Sequence, residues 1–375
     1  MGEIAAADWD RLANPDPRTY NPTLRHAFFR ALEESGSIVP DAGWLPRHLV
    51  ARDGAGAIRA VMPLYLKGHS YGEYVFDQGW ADAYERHGLD YYPKLLAAVP
   101  VTPVPGRRTL VADAAVDQIY GDALATAVVE LARRETLSSV HATFLEAAEA
   151  ERLEAAGWLI RLGQQYHWEN QGYAQFDDFL ATLASRKRKG LKRERRDALA
   201  GGITIEWLRG REITEAHWDV FFAFYMDTGS RKWGSPYLNR TFFSLLGELM
   251  GEDVLLVLCR RAGRTIAGAL NLIGGDALYG RYWGCIEQHP FLHFETCYYQ
   301  AIDFAIANKL ARVEAGAGGE HKLVRGYLPV PTYSAHWIAD RRFRAAIKGF
   351  VERERRAVEH ETELLIDLGP YRKGG

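Results

Sequence analysis

Residues 278–327 read LYGRYWGCIEQHPFLHFETCYYQAIDFAIANKLARVEAGAGGEHKLVRGY, and this stretch decides the fold class. Its first part, 278–285, predicts a β-strand because it is rich in aromatic residues. Residues 295–308 predict a helix, since their apolar side chains repeat at helical spacing. A short strand at 312–315 follows, and a glycine-rich turn comes directly after it. Strand, helix and strand in this order indicate an α/β protein.

Elements of the same kinds flank this stretch. Residues 254–260 and 266–273 predict two strands joined by a turn, and residues 48–52 and 57–66 predict another hairpin. Each half of the chain therefore runs from helices through a hairpin to strand, helix and strand, although the residues themselves do not repeat. We predict an α/β protein with mixed sheets in two tandem domains.

The expected domain limits are residues 1–168 and 169–375. Residues 176–196 predict one helix that carries a dense run of basic residues. Residues 340–363 predict a final helix with one apolar face, which we expect to pack against the second domain.

Composition and charge restrict the class of protein. The 375 residues are 47% hydrophobic and 25% charged, which is enough material for sizeable cores. A net charge of -2 argues against a surface that coats nucleic acid or an anionic membrane as a whole. Three cysteines are too few for a disulfide framework and predict a reducing, cytoplasmic location. We expect no secretory signal and no membrane insertion, because the longest strongly apolar run, 254–259, is far shorter than a bilayer span.

Several segments resemble one known family. Residues 278–327 resemble the central block of the FemAB-like proteins, also described as peptidoglycan biosynthesis or recognition proteins. Residues 63–95, PLYLKGHSYGEYVFDQGWADAYERHGLDYYPKL, and residues 217–238, HWDVFFAFYMDTGSRKWGSPYL, resemble the same family. With TYSAHWIAD at 332–340, the resemblance covers nearly the whole chain.

The resemblance implies both a fold and an activity. It implies two fused acetyltransferase-like (GNAT-like) domains and an enzyme that moves an acyl or aminoacyl group to an amine by direct attack. Related enzymes carry an amino acid from aminoacyl-tRNA to a peptidoglycan precursor. Many members are named only as acetyltransferases, so an acyl-CoA-dependent N-acetyltransferase is one alternative, and a binding protein of the same fold without catalysis is another.

The donor is constrained by the segment GCIEQHPFLHFE at 284–295. Ordinary acetyltransferases have a loop with spaced glycines at this point, because bare backbone amides hold the pyrophosphate of coenzyme A. Phe291, Leu292 and Phe294 fill that position here. We therefore favour aminoacyl-tRNA over acyl-CoA as co-substrate, with no tightly bound cofactor.

Within residues 278–327, ionisable residues crowd the predicted strand, the start of the predicted helix and the glycine turn. Acyl transfer needs a base to take the proton of the attacking amine and donors to hold the carbonyl oxyanion. Candidates for these tasks are His293, Glu295, Glu320, His321, Lys322 and Arg281. Glu314 belongs to the same group, and candidates for substrate contact are Tyr282, Tyr299, Arg325 and Tyr327. The alternative is a satisfied internal polar network.

The spacing of four between Cys285, His289, His293 and Cys297 superficially suggests a metal site. Pro290 disfavours a helical conformation at His289, so these four side chains are not expected to converge. We predict no metal site.

Basic residues are concentrated at 186–196, where eight cations accompany a single glutamate. Such density can follow a chain of phosphates, although a solvated helix face is an equally good interpretation. The candidates for contact with phosphate or tRNA are Arg186, Lys189, Arg193 and Arg196.

Residues 67–94 combine Gly, His, Asp and Tyr without a sustained period, which predicts a long ordered loop. Long ordered loops are often functional, so we assign it to the acceptor, a small-molecule or precursor amine. The candidate residues are Lys67, Ser70, Tyr71, Glu73, Tyr74, Asp77, Trp80, Tyr91 and Lys94. A second segment of similar chemistry contains Arg231, Lys232, Trp233 and Tyr237.

Overall fold

The computed structural model describes residues 1–232, 236–319 and 321–372. The helices are α1 Ala6–Ala13, α2 His26–Glu34, α3 Gln78–Arg86, α4 Ala114–Arg134, α5 Ala147–Ala155, α6 Phe176–Thr182, α7 Ser185–Ala198, α8 Glu215–Lys232, α9 Arg240–Met250, α10 Leu292–Phe294, α11 Gln300–Ala307 and α12 Arg341–Asp367. A π-helical turn, Glu295–Tyr299, joins α10 to α11.

The strands are β1 Trp44–Pro46, β2 Leu49–Arg52, β3 Ile58–Met62, β4 Leu64–Lys67, β5 Lys94–Ala97, β6 Leu110–Val111, β7 Ser139–Leu145, β8 Leu159–Glu169, β9 Thr204–Leu208, β10 Val254–Arg261, β11 Arg264–Ile273, β12 Ala277–Cys285, β13 Arg312–Glu314 and β14 Leu328–Ile338.

The chain forms two compact units. The first unit contains Met1–Pro17, Thr23–Gly163 and Pro331–His360, and the second contains Arg18–Pro22, Gln164–Val330 and Glu361–Gly375. The predicted limits, 1–168 and 169–375, therefore need a correction, because residues 331–360 return to the first unit.

In the first unit, strands lie side by side in the order β1, β4, β5, β7, β14. β5 and β7 run parallel, with Leu95 opposite Val140, whereas β14 is antiparallel to β7. A small sheet of β2, β3 and β6 lies in the same unit, and β2 pairs with β3 as in the predicted hairpin. The predicted strand 57–66 divides at Pro63 into β3 and β4, and β4 belongs to the larger sheet. Apolar residues of α4, such as Leu124 and Val128, pack on the central strands.

In the second unit, the order is β8, β13, β12, β11, β10, β9. β12 and β13 are parallel, and the other neighbouring pairs in this order are antiparallel. The helix α8 approaches β12 so closely that a Cβ atom at Gly284 would lie 2.2 Å from the carbonyl oxygen of Phe224. Glycine is required there because any side chain would push the helix away from the sheet.

Two helical predictions differ from the structure. Residues 176–196 do not form one helix, because Leu183 and Ala184 are non-helical and separate α6 from α7. The prediction that the final helix packs on the second domain was wrong for its first half. Ile347 and Val351 pack with Trp80 and Tyr84 of the first unit, since these side chains form one buried cluster.

Candidate active site

The second unit has a point where two parallel strands part. Tyr279 and Glu314 are the last paired residues of β12 and β13, after which β12 continues without β13 and stays paired with β11. One pair further on, β12 has a bulge at Arg281, since Tyr282 lies opposite Leu270 and Gly280 lies opposite Asn271. A bulge leaves one residue unpaired and redirects its side chain, and bulges are common beside active sites.

Two buried polar atoms face each other at this point. Oε2 of Glu314 lies 3.7 Å from Nε2 of His167 on the adjacent strand, and neither atom has a hydrogen-bond partner among the described residues. Burial raises the pKa of Glu314 to about 7, although Arg312 donates a hydrogen bond to Oε1. Burial also lowers the pKa of His167 to about 3. His167 was not predicted as a site residue, because only the pairing of β13 with β8 brings it opposite Glu314.

The first unit has a titratable pair at the equivalent place. His141 is the third residue of β7 and lies opposite His336 of β14, as Glu314 is the third residue of β13 and lies opposite His167 of β8. The two imidazoles of the first unit approach at 2.6 Å between Nδ1 atoms. Ser139 and Ser334 contact their Nε2 atoms at 2.8 and 3.0 Å. The first pair is thus satisfied, whereas the pair in the second unit is not.

A glycine-rich segment follows β13. Gly316, Gly318 and Gly319 have positive φ angles, which other residues adopt only at a cost. Lys322 fixes this turn, because its buried Nζ donates hydrogen bonds to the carbonyl oxygens of Ala315, Gly316 and Ala317 at 2.7 to 3.0 Å. These contacts support the backbone of the turn.

The structure brings His293 and His321 together. Their ring centroids are 6.2 Å apart, and His321 Nε2 lies 2.9 Å from the hydroxyl of Tyr298. Phe294 and Trp283 complete an aromatic wall, with Trp283 5.2 Å from His293. His321 is exposed and His293 is half-buried, so both can be reached from solvent.

Glu295 has a different environment. It is fully buried, and its oxygens accept hydrogen bonds from Arg195 at 2.8 and 3.1 Å and from Gln300 at 2.7 Å. Arg195 also binds Asp303. These contacts make Glu295 part of a buried ion pair between α7 and the π-helical turn, so we now assign it a structural role in place of the predicted catalytic one.

The remaining predicted residues of this unit are distributed as follows. Tyr299 and Tyr327 are fully buried, which contradicts direct contact with substrate. Arg325 is also buried; it binds Glu194 at 2.7 Å and stacks on Phe294. Arg281 lies over Tyr282, and both are half-buried.

Part of the prediction lies outside what the structure describes. Glu320 and Trp233 are outside the described residues, as are the side chains of Arg231 and Lys232. Tyr237 is half-buried in the loop before α9.

The first unit gathers most of the predicted acceptor residues into one buried network. Nζ of Lys94 donates to Oε2 of Glu73 and Oγ of Ser70, each at 2.8 Å, and also to Asp77. The hydroxyl of Tyr91 donates to Asp77 at 2.6 Å. Burial alone would raise the pKa of Asp77, but the charge and hydrogen bond of Lys94 hold it below its ordinary value.

Three predicted acceptor residues lie around this network. Trp80 is buried, with its ring 4.9 Å from that of His336. Tyr74 is half-buried and has a positive φ angle, whereas Tyr71 is 67% exposed.

The helix α7 exposes four of its cations at positions that share one side of the helix. Arg186, Lys189, Arg193 and Arg196 are all exposed. In the described part of the chain, no carboxylate lies within 4 Å of the first three, and Arg196 binds the adjacent Asp197. The predicted phosphate-contacting residues are thus available to solvent.

Three further observations concern the described residues. None of their helices combines the length and apolar character needed to cross a lipid bilayer. Across the same residues, no group of three or more His, Cys, Asp and Glu side chains is placed to hold a metal ion. A groove of about 570 Å³ beside α4 and α5 is lined by Arg133, Arg152 and Trp337 among others, and no predicted site residue is among its described lining residues.

Known proteins share this architecture. FemX has a TM-score of 0.57 at 14% identity, covering 92% of this chain and 98% of FemX. The C-terminal domain of a putative lysylphosphatidylglycerol synthetase from Agrobacterium fabrum has a TM-score of 0.53 at 11% identity, covering 92% and 96%. L-PGS from Bacillus licheniformis has a TM-score of 0.52 at 10% identity, covering 90% and 97%. At these identities the likeness shows the fold alone.

Sequence comparison gives the family. No curated protein matches the chain. The family model for FemAB-like proteins, described as peptidoglycan biosynthesis/recognition, matches residues 1–373. The predicted α/β fold with mixed sheets and the predicted membership of this family are confirmed. The chain belongs to the FemAB-like family.

Proposed function

We propose that this protein transfers an aminoacyl or acyl group to an amine acceptor by direct attack, without a covalent enzyme intermediate. The observation that supports this most is the pair of solvent-reachable imidazoles, His293 and His321, beside the glycine segment of the second unit. The amine nitrogen bonds to the acyl carbon while an imidazole takes its proton. The proton then passes to the oxygen of the donor as the carbon–oxygen bond breaks.

The proposed donor is an aminoacyl-tRNA. The exposed cations of α7 support it, because a row of four cations can neutralise neighbouring phosphates. Phe291 and Phe294 also favour it over acyl-CoA, since they occupy the place of a glycine-rich pyrophosphate loop. No tightly bound cofactor is part of this proposal.

The proposed acceptor is a small-molecule or precursor amine held by the first unit, where Lys94 and its partners form a polar network. The peptidoglycan precursor used by related enzymes is the first acceptor to be offered.

The proposed location is the cytoplasm. It fits the three cysteines, which are all free thiols.

The catalytic part is tested by replacing the histidines separately. We expect His321→Ala and His293→Ala each to reduce kcat/KM by about 100-fold or more, the usual contribution of general acid–base catalysis. His360→Ala, in an exposed position on α12, is the matched control and should leave the rate unchanged. Full activity in both site variants would remove the histidines from the mechanism.

A further inference from the structure

Two buried lysines lie face to face in the first unit. Lys67 on β4 and Lys94 on β5 are direct cross-strand partners, and both are 0% exposed. Like charges placed opposite each other destabilise a strand pair, and a buried ammonium group is costly unless it is paired. A fold that needed only packing would place apolar residues at both positions.

The two lysines are neutralised to different degrees. Lys94 contacts two carboxylates, Glu73 and Asp77. In the described part of the chain, no carboxylate lies within 4 Å of Nζ of Lys67. Lys67 donates to the carbonyl oxygen of Tyr71 at 3.3 Å and lies 3.5 Å from the ring centroid of Trp44. Burial lowers the pKa of Lys67 to about 7, as expected for an ammonium group with a weak counterion.

The two carboxylates are also held differently. Asp77 begins α3, where its carbonyl oxygen accepts from the amides of Trp80 and Ala81, and its side chain accepts from Tyr91 as well as Lys94. Oε2 of Glu73 accepts from Lys94. Oε1 of Glu73 and Oδ1 of Asp77 are both buried without a partner among the described residues. Burial raises the pKa of Glu73 to about 7. Asp77 therefore has more hydrogen-bond partners than Glu73, and its charged form is better supported.

The segment that carries Glu73 is partly exposed. Residues 68–77 connect β4 to α3 and contact both lysines, yet Tyr71 and Phe76 leave 67% and 63% of their surface in solvent. Gly72 and Tyr74, which flank Glu73, have left-handed φ angles of 80° and 57°. This conformation is strained at Tyr74, which is not a glycine, so displacement of this part of the segment would release that strain.

We propose that Lys67 and Lys94 form a binding site for a single carboxylate group of a ligand, and that Glu73 occupies the Lys94 side of this site in the present structure. The ligand displaces Glu73, while Asp77 remains with Lys94. The inference rests on the proposed function for its biological meaning, because it assigns the acceptor to amines that also bear a carboxylate.

Charge balance selects a carboxylate over a phosphate. When both ammonium groups are protonated, Lys67 and Lys94 supply two positive charges, and Asp77 retains one negative charge beside Lys94. One further negative charge, from a ligand or from ionised Glu73, then makes the buried group neutral. A phosphate dianion would leave an excess charge in a buried place, which is unfavourable.

Binding of N-acetylglycine to the full chain, measured by titration calorimetry without any acyl donor, tests the site. N-acetylglycinamide is the neutral control ligand, and inorganic phosphate tests the charge argument. We expect N-acetylglycine to bind, the amide not to bind, and phosphate to bind at least about tenfold more weakly. The rate of backbone amide hydrogen exchange in residues 68–77 should rise when N-acetylglycine is added, and should not rise with N-acetylglycinamide.

Two variants decide which residues are responsible. Lys67→Met should weaken N-acetylglycine binding by about tenfold or more, because one charge-assisted contact is lost. The variant should fold normally, because Lys67 has no close carboxylate that its removal would leave buried without a partner. Glu73→Gln should strengthen binding, because the internal competitor loses its charge. Lys348→Met, at an exposed position, is the control.

Each result has one meaning. Binding that survives Lys67→Met unchanged, binding that is not strengthened by Glu73→Gln, or a preference for phosphate would overturn the carboxylate site. Because no donor is present, a failure of acyl transfer leaves these results intact. Carboxylate binding together with failed transfer would reject the proposed activity and keep the site.

Discussion

Glu314 is a buried carboxyl group whose ionised form is destabilised by its surroundings. Arg312 binds one of its oxygens, while Asp276 and Glu169 are negative neighbours, and burial raises its pKa to about 7. On the opposite strand, His167 is kept neutral by burial and by the nearby charges of Arg312 and Lys322. The protein therefore loses stability as pH rises from about 4.5 to about 7, because the carboxyl group ionises in the unfolded chain before it ionises in the folded one.

Glu314→Gln removes that loss. We expect the variant to gain about 1 to 2 kcal/mol in free energy of unfolding relative to wild type at pH 8, with little difference at pH 4.5. Denaturant unfolding at the two pH values measures it, with the exposed Glu359→Gln as control. An equal difference between wild type and variant at both pH values would show that Glu314 does not titrate in this range.

Glu295 should behave in the opposite way. Its replacement by alanine leaves Arg195 with Asp303 as its remaining carboxylate partner. We expect Glu295→Ala to lower the free energy of unfolding by roughly 2 to 3 kcal/mol, below the full value for a buried pair because Arg195 is partly exposed. Thermal unfolding checks this. A stable variant with a specific loss of turnover would instead restore a catalytic role for Glu295.

At the scale of elements, α7 carries cations with two different tasks. Arg195 points inward to Glu295 and Asp303, whereas Arg186, Lys189 and Arg193 remain in solvent. The basic run was visible in the sequence. Which of these cations is buried in an ion pair and which are exposed depends on how α7 packs against the π-helical turn. The basic run alone does not predict that packing.

The exposed row predicts salt-dependent binding of tRNA. Replacement of Arg186, Lys189, Arg193 and Arg196 by alanine should weaken tRNA binding and reduce the slope of log K against log salt by up to about four. The control variant replaces the exposed Arg341, Arg342, Lys348 and Arg353 of α12, which changes net charge equally. Equal losses in both variants, or no change in slope, would show that α7 makes no specific phosphate contacts.

Prediction from sequence succeeded for elements with a clear apolar period and failed for buried polar strands. The strands β10 and β11 follow their patterns closely, and β2 pairs with β3 as predicted, although the predicted strand 57–66 divides into β3 and β4. β7 and β14 were not predicted, and their facing residues His141 and His336 are 1% exposed inside the first unit. Their burial is possible because each imidazole finds a partner across the strands, and that pairing is not visible locally.

At the scale of the whole molecule, the order of elements predicted two similar domains but not the path of the chain. Residues 331–360 return to the first unit because β14 pairs with β7 there. Ionisable residues were likewise grouped by their proximity along the chain, because the path of the chain in space was not known from the sequence. This grouping joined His293 with His321, whose rings do lie near each other, and it also placed Glu295 and the fully buried Tyr327 in the site, since burial depends on contacts made far away in sequence.

Acyl transfer to an amine is the activity that we propose for this protein. The most direct test offers the purified protein a pool of charged tRNAs and a pool of acyl-CoAs in parallel, with candidate amine acceptors, and follows the acceptor by mass spectrometry. We predict that an acceptor gains the mass of an aminoacyl group with charged tRNA, and that the His321→Ala variant fails to produce it. No mass change with either pool would contradict the claim, and transfer from acyl-CoA alone would replace the proposed donor.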